Sequence, residues 1–351
     1  MSQAPQPRYH QRKRIAMRHF SVPVMLVILA AVLCSISGCS MFKQPSSEGD
    51  AMVGIAVDGR LAEMTRSLTD QIFDDFIETP YPERRFFLRY VGEDSLGTVN
   101  NWQNVVLIGA LEETDPISQR VQRMLGGEAT QQVISGELRV LRRKDAWASG
   151  QTIVVVAAPT ADEVVSWLSE NGEIIDDLLT EDRNARMKKA IYSQYEQKDL
   201  ADSLREAHGW NLRIPHDYAI SYSSTDPSFV RFRRQYPARF VTVAWEMGTP
   251  DSVNSDKLIR WRDELGLLYP DSSRSNPIIL DTVWTTLGGV DALEAHGIWE
   301  TYGPIGGGPF VAYLLHKEGT LYLLDGKLFA PDREKEPVIR HLEVVLSTFE
   351  P

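Results

Sequence analysis

Leu321-Tyr322-Leu323-Leu324-Asp325-Gly326-Lys327-Leu328-Phe329, followed by Ala330-Pro331, is an apolar stretch closed by a proline step. It reads as a strand, and the apolar residues from about Lys335 to Phe349 recur at helical spacing, so the strand runs into a closing amphipathic helix. The same order occurs earlier, where Ile153-Val154-Val155-Val156-Ala157-Ala158-Pro159 leads into a helix opening at Asp162. Working back from the C-terminal strand, further strands are expected near 310–316, 297–302, 280–286, 240–246, 229–233, 219–223 and 210–214. A helix is expected over 257–265. The charged, Gly- and Pro-free segment from Glu181 to Ala207 reads as one helix ending at His208-Gly209. Towards the N-terminus, Leu61, Met64, Leu68, Ile72, Phe73 and Phe76 mark an amphipathic helix, and strands are expected at 86–91, 105–111, 138–141 and 152–157. A helix begins at Asp115-Pro116 and is expected to stop at Gly126-Gly127. Helices separated by groups of strands imply an α+β fold with mostly antiparallel sheet and flanking helices, not a doubly wound parallel sheet. The repeated strand–proline–helix order raises the further expectation of two similar halves, 54–180 and 181–351.

The first 53 residues read differently. Arg8, Arg12, Lys13, Arg14 and Arg18 form a basic region, and the apolar run Val22–Cys34 has the roughly 7–15 residues of a signal-peptide core. A membrane-spanning helix needs about 20. Ile36-Ser37-Gly38-Cys39 then supplies small residues immediately before a thiol, the pattern of a bacterial lipoprotein processing site. The expectation is a signal peptide over 1–38, with Ile36, Ser37 and Gly38 serving processing and Cys39 carrying the lipid, palmitate included. Residues 39–53 then follow as a polar tether. Met17 offers an alternative start to Met1. Ser40, where an acidic residue would stand in an inner-membrane protein, points to an outer-membrane anchor facing the periplasm.

The chain holds 37 basic and 48 acidic residues, a net charge of −11, and removal of residues 1–38 would make it more acidic still, because that segment contains no carboxylate. Such a balance opposes nucleic-acid binding and favours solubility in the envelope. Its two cysteines are Cys34 and Cys39. Neither is left to make a disulfide, a thiolate metal site or a thiol nucleophile, so the fold must rest on its apolar core.

Reaction chemistry is sparse. Gly303-Pro304-Ile305-Gly306-Gly307-Gly308-Pro309-Phe310 lacks the Lys-Ser/Thr step of a phosphate loop and precedes a strand. The histidines show no HExxH spacing and no GxSxG elbow occurs, so neither metal, cofactor nor catalytic residue is assigned. Glu294, His296 and Glu300 are the one cluster to nominate for a hydrolase acting on glycan or peptide. Arg231 and Arg233 alternate with Val230 and Phe232 across the turn Tyr236-Pro237-Ala238, which suggests a hairpin with a basic outer face. The eight tryptophans would pack the core or stack on sugars, and Trp299 joins Arg231 and Arg233 as a candidate partner-binding residue.

Gly288-Gly289, Glu294-Ala295-His296-Gly297-Ile298-Trp299-Glu300, Gly308-Pro309-Phe310 and Asp325-Gly326-Lys327-Leu328-Phe329-Ala330-Pro331 together resemble the bacterial lipoprotein family catalogued as domain of unknown function 4837. The similarity extends to Asp145-Ala146-Trp147-Ala148, Gln151 and Leu212-Arg213-Ile214-Pro215 with Tyr218, and covers about Gly54 to Phe349. His296 stands where the family pattern has Arg. The resemblance implies an envelope lipoprotein and brings no catalytic residues with it. The combined expectation is a binding or assembly component, attached to the membrane through its lipid and engaging an envelope protein or small ligand.

Overall fold

A computed structural model describes residue 46, residues 49–77, 79, 81–269, 272–303 and 306–351. Cys39 and the processing residues Ile36, Ser37 and Gly38 lie outside the described residues. Two compact units are present. One comprises the described residues up to Asp75 together with Arg84–Arg186, and the other Phe76–Glu83 together with Met187–Pro351.

The first unit is built on a five-stranded sheet of β1 (Met52–Ala56), β4 (Phe87–Val91), β5 (Asn104–Ala110), β6 (Val140–Lys144) and β7 (Thr152–Ala158), in the order β4-β1-β5-β7-β6. The short strands β2 (Phe76–Ile77) and β3 (Glu83–Arg84) form a separate two-stranded sheet. Strand β1 pairs in parallel with β4 and β5, and β5 with β7, while β6 alone runs antiparallel. Here the sequence expectation fails. Every residue of β5 and β7 is buried, because helices cover both faces. Val106, Ile108, Val154 and Val156 pack with Leu61 of α1 (Gly59–Ile72), Val164 and Leu168 of α4 (Ala161–Asn171) and Leu179 of α5 (Glu173–Tyr192). Val105, Leu107, Ile153 and Val155 pack on the opposite side with Leu96 of α2 (Glu93–Leu96) and Val121 and Leu125 of α3 (Pro116–Ser135). A strand buried on both faces reads as a continuous apolar run and shows no alternation from which pairing direction can be inferred. The stop expected at Gly126-Gly127 is a kink at Gly126, φ 72°, and α3 continues to Ser135.

The second unit carries a seven-stranded antiparallel sheet, in keeping with the α+β reading. Its strands are β8 (Ala219–Thr225), β9 (Ser228–Arg234), β10 (Ala238–Met247), β11 (Ser273–Leu287), β12 (Val290–Thr301), β13 (Gly307–Lys317) and β14 (Thr320–Phe329), ordered β11-β12-β13-β14-β10-β9-β8. Its pairing differs from that of the first unit, so the two halves are not alike. The opening stretch 321–329 is the central strand β14, flanked by β13 and β10. Along β13, Phe310, Ala312 and Leu314 face Trp261 and Leu265 of α7 (Ser255–Leu267). Val311, Tyr313 and Leu315 face Leu342, Val345 and Leu346 of α8 (Glu336–Leu346). The helix expected over 181–207 is broken: α5 ends at Tyr192, Tyr195 takes φ 57°, and α6 spans Lys198–His208 with Gly209 closing it at φ 82°. Residues 210–214 form no strand and contribute only a bridge between Asn211 and Glu350.

Helix α8 begins without a side-chain cap of its own at Lys335. Glu83 supplies one instead: its Oε2 accepts the Lys335 amide at 2.6 Å and the Glu336 amide at 2.9 Å. A carboxylate at that place satisfies two terminal donors and complements the positive end of the helix.

Candidate functional site

Residues 294 and 296 lie on the same side of β12, because side chains two apart share a face. His296 Nε2 meets Glu294 Oε1 at 2.6 Å, and the Tyr313 hydroxyl on the adjacent β13 donates to the same oxygen at 3.2 Å. Glu343 of α8 approaches the other ring nitrogen, with His296 Nδ1 3.9 Å from its Oε1. Thus two of the three nominated residues do converge, and Tyr313 and Glu343 join them. Cross-strand register places Tyr313 opposite Glu294; the register is invisible in the sequence until the strand pairing is known. Glu300 goes elsewhere. It bonds Arg274 Nε at 2.9 Å and Asn276 Nδ2 at 3.2 Å, so the three-residue cluster does not assemble.

The expected basic hairpin is also redrawn. Strands β9 and β10 do pair across the 236–238 turn, with Arg231 opposite Thr242 and Arg233 opposite Phe240. Arg231, however, is 5% exposed. Its guanidinium lies 4.0 Å from the Phe240 ring centroid and 3.7 Å from that of Tyr269, an arrangement in which ring faces stabilise a desolvated cation. Arg233 is exposed. Trp299 is buried as well, its indole N–H donating to the Leu328 carbonyl at 2.9 Å and its ring 4.1 Å from Lys327 Nζ. Neither Arg231 nor Trp299 can therefore meet a partner on this surface, since each is occupied inside the fold. The same side of the sheet buries a further cation, Arg262 of α7, which bonds Asp325 Oδ1 at 2.7 Å and Ser275 Oγ at 3.0 Å and lies 3.6 Å from the Phe310 ring. These pairs fasten α7 to the sheet.

A cleft of about 210 Å³ opens at the end of the sheet where β13 begins and β14 ends. Its walls are Tyr81, Gly307-Gly308-Pro309, Ala330-Pro331 and Lys335. The glycine at 308 is required by proximity: it has no positive φ, but a Cβ there would run into the Leu328 carbonyl, the oxygen that also receives the Trp299 N–H. Tyr81 is 86% exposed, and the Glu83 cap holds its segment against the start of α8. In the sequence this Gly/Pro run reads only as a loop ahead of a strand; that it forms a cleft wall depends on Tyr81 and Pro331, which are distant from it in the chain.

Among the described residues, no group of three or more His, Cys, Asp or Glu has the geometry to hold a metal ion, and no helix is long and apolar enough to cross a membrane.

Residues 197–348 match the model of the family described as domain of unknown function (DUF4837). Residues 62–192 match a second, described as domain of unknown function (DUF8532). The first match is narrower than the sequence resemblance, which had extended to Gly54; Asp145–Ala148 and Gln151 fall in the second. No curated protein matches the chain in sequence. Among solved structures it is similar to the cyanobacterial PsbP protein CyanoP of Synechocystis sp. PCC 6803, at 13% identity and a TM-score of 0.30 over 40% of this chain and 86% of that one. It is similar too to a Bacteroides thetaiotaomicron VPI-5482 protein, at 14% identity and TM-score 0.26, over 40% of this chain and 44% of that one. The third is LpqN, involved in cell envelope biogenesis of Mycobacterium tuberculosis, at 14% identity and TM-score 0.27 over 40% and 82%.

Proposed function

We propose that this chain is a lipid-anchored envelope protein that works as a binding component, not as a hydrolase, and that its second unit engages an envelope protein at the cleft of Tyr81, Gly307–Pro309, Pro331 and Lys335. The observation that carries the reading is the composition of that cleft. It offers an exposed aromatic ring, two prolines, bare glycine backbone and one ammonium group, which is contact chemistry. The residues with reaction chemistry are directed otherwise: His296 bridges Glu294 and Glu343, and Glu300 is drawn off to Arg274. The address rests on the sequence, where the basic region, the Val22–Cys34 run and Ser37-Gly38-Cys39 precede the folded units.

Photo-crosslinking in the native envelope tests this. A benzophenone side chain placed at Tyr81 is expected to give a discrete protein adduct, whereas the same probe at Met247, which is 82% exposed and outside the cleft, gives none. Equal labelling from both positions, or none from residue 81 in the folded and anchored protein, would sink the assignment of the cleft.

A further inference from the structure

At the end of the β9–β10 hairpin the molecule buries a guanidinium with no ion-pair or hydrogen-bond partner of its own among the described residues. Arg239 is 5% exposed, on β10, and its register partner on β9 is Arg234. It has no hydrogen bond and no ion pair to any described residue, and its Nε is closed off from solvent. The other charged groups around it are already engaged. Arg234 Nε pairs with Asp217 at 2.6 Å, and Arg333 is held by Asp332 and the Tyr236 hydroxyl. Three guanidiniums thus face two carboxylates, Asp217 and Asp332, and one positive charge is left over. Two neutral hydrogen-bonding groups lie within reach of its charge: Tyr218 and His341 of α8 stack with centroids 5.9 Å apart and planes at 9°, and the Tyr218 hydroxyl is 3.5 Å from His341 Nδ1.

A buried cation without a partner is costly, and the cost falls when an anion with hydrogen-bond acceptors arrives. In a chain of net charge −11 a local positive excess of this kind is selective for negative ligands. We propose that Arg239, the Tyr218 hydroxyl and the His341 ring form a binding site for a singly charged oxyanion, of the phosphodiester or carboxylate class. One excess charge matches a monoanion. The planar guanidinium is suited to two oxygens of such a group, and with the Tyr218 oxygen accepting from His341 Nδ1–H the hydroxyl proton is left to donate at its side. The leftover charge and the unpaired Nε are independent of the cleft assignment, so this site stands or falls separately.

The full chain is titrated with dimethyl phosphate and with acetate against a sodium chloride control of equal ionic strength, following the His341 ring protons by NMR. The expected result is a saturable shift of the His341 signals with dimethyl phosphate, absent with chloride. Tyr218→Phe should weaken it about tenfold, as loss of one hydrogen bond to a charged group would. Arg239→Gln should abolish it, while Arg233→Gln, on the opposite face, leaves it intact. Should Arg239→Gln fail to fold, Tyr218→Phe alone decides. No saturable shift with either oxyanion, a shift matched by chloride, or an unaltered response in Tyr218→Phe and Arg239→Gln overturns the proposal. Co-sedimentation with phosphatidylglycerol vesicles then separates the sources: Arg239-dependent binding identifies a lipid headgroup, and a response confined to the soluble anions identifies a free ligand.

Discussion

His341 shows how far one side chain can carry a pH dependence. Burial, together with the neighbouring positive charges of Arg239 and Arg234, lowers its pKa from the usual 6.5 to about 3. The folded protein keeps the ring neutral where the unfolded chain takes up a proton. Its contribution to stability is therefore complete above about pH 6.5 and is lost as the pH falls towards 3. Between pH 6.5 and 5 the loss is about 2 kcal/mol at 1.36 kcal/mol per unit. Urea unfolding at pH 7.5 and 5.0 should show wild type losing this much more than His341→Gln; identical losses would mean that the ring titrates normally. None of this was legible in the sequence, where His341 is one of several scattered histidines, because the cause lies on β10 and β9, about a hundred residues upstream. Gly308 and Trp299 are an intermediate case. The motif drew notice, but the reason for the glycine is a close approach to the Leu328 carbonyl, which only the register of β13 on β14 creates. Arg231 is the opposite lesson. Alternation placed it on one face of a strand correctly, yet gave no hint that Tyr269 and Phe240 would enclose that face.

At the scale of elements, alternation and capping were read where they exist and missed where they do not. Strand β13 and helix α8 follow their sequence patterns because each presents distinct faces to distinct neighbours. The runs 105–111 and 152–157 read as strands and form β5 and β7, but uniform burial erased the period that tells a parallel interior strand from an antiparallel one. Helix α8 has no N-terminal cap in its own sequence, which a sequence reading cannot repair because the capping carboxylate belongs to Glu83. Replacing Glu83 by Gln keeps an acceptor and loses the charge; replacing it by Ala loses both. Stability of the second unit should fall by about 0.5–1 kcal/mol for Glu83→Gln and about 1–2 kcal/mol for Glu83→Ala, measured by urea midpoint. Equal values for wild type and Glu83→Ala would show that the two amides are served as well by water.

For the molecule as a whole, the sequence conveyed mixed α+β character and the presence of an antiparallel sheet, but not that the two units follow different rules: parallel strands between two helical layers in one, an antiparallel sheet with helices on each face in the other. The similar halves suggested by two strand–proline–helix passages dissolve once pairing is seen, since that order is common to both architectures. The proposed anchor also acts at this scale. Two or three acyl chains, at about 0.8 kcal/mol for each buried methylene, hold a protein to a bilayer lastingly. Cys39→Ala should accordingly move the chain from the membrane pellet to the soluble fraction after cell breakage without altering its circular dichroism; continued sedimentation of the variant would remove the lipid from the reading. Finally, the Glu83 cap has a consequence in time. The amide donors it serves follow it by 252 and 253 residues, so α8 cannot be terminated in its native manner until most of the polypeptide has emerged. Assembly of the second unit is thereby a long-range event, and folds that rest on contacts far apart in sequence form slowly. The second unit therefore closes late in synthesis, once its own C-terminal helix has been made and can meet the carboxylate waiting at residue 83.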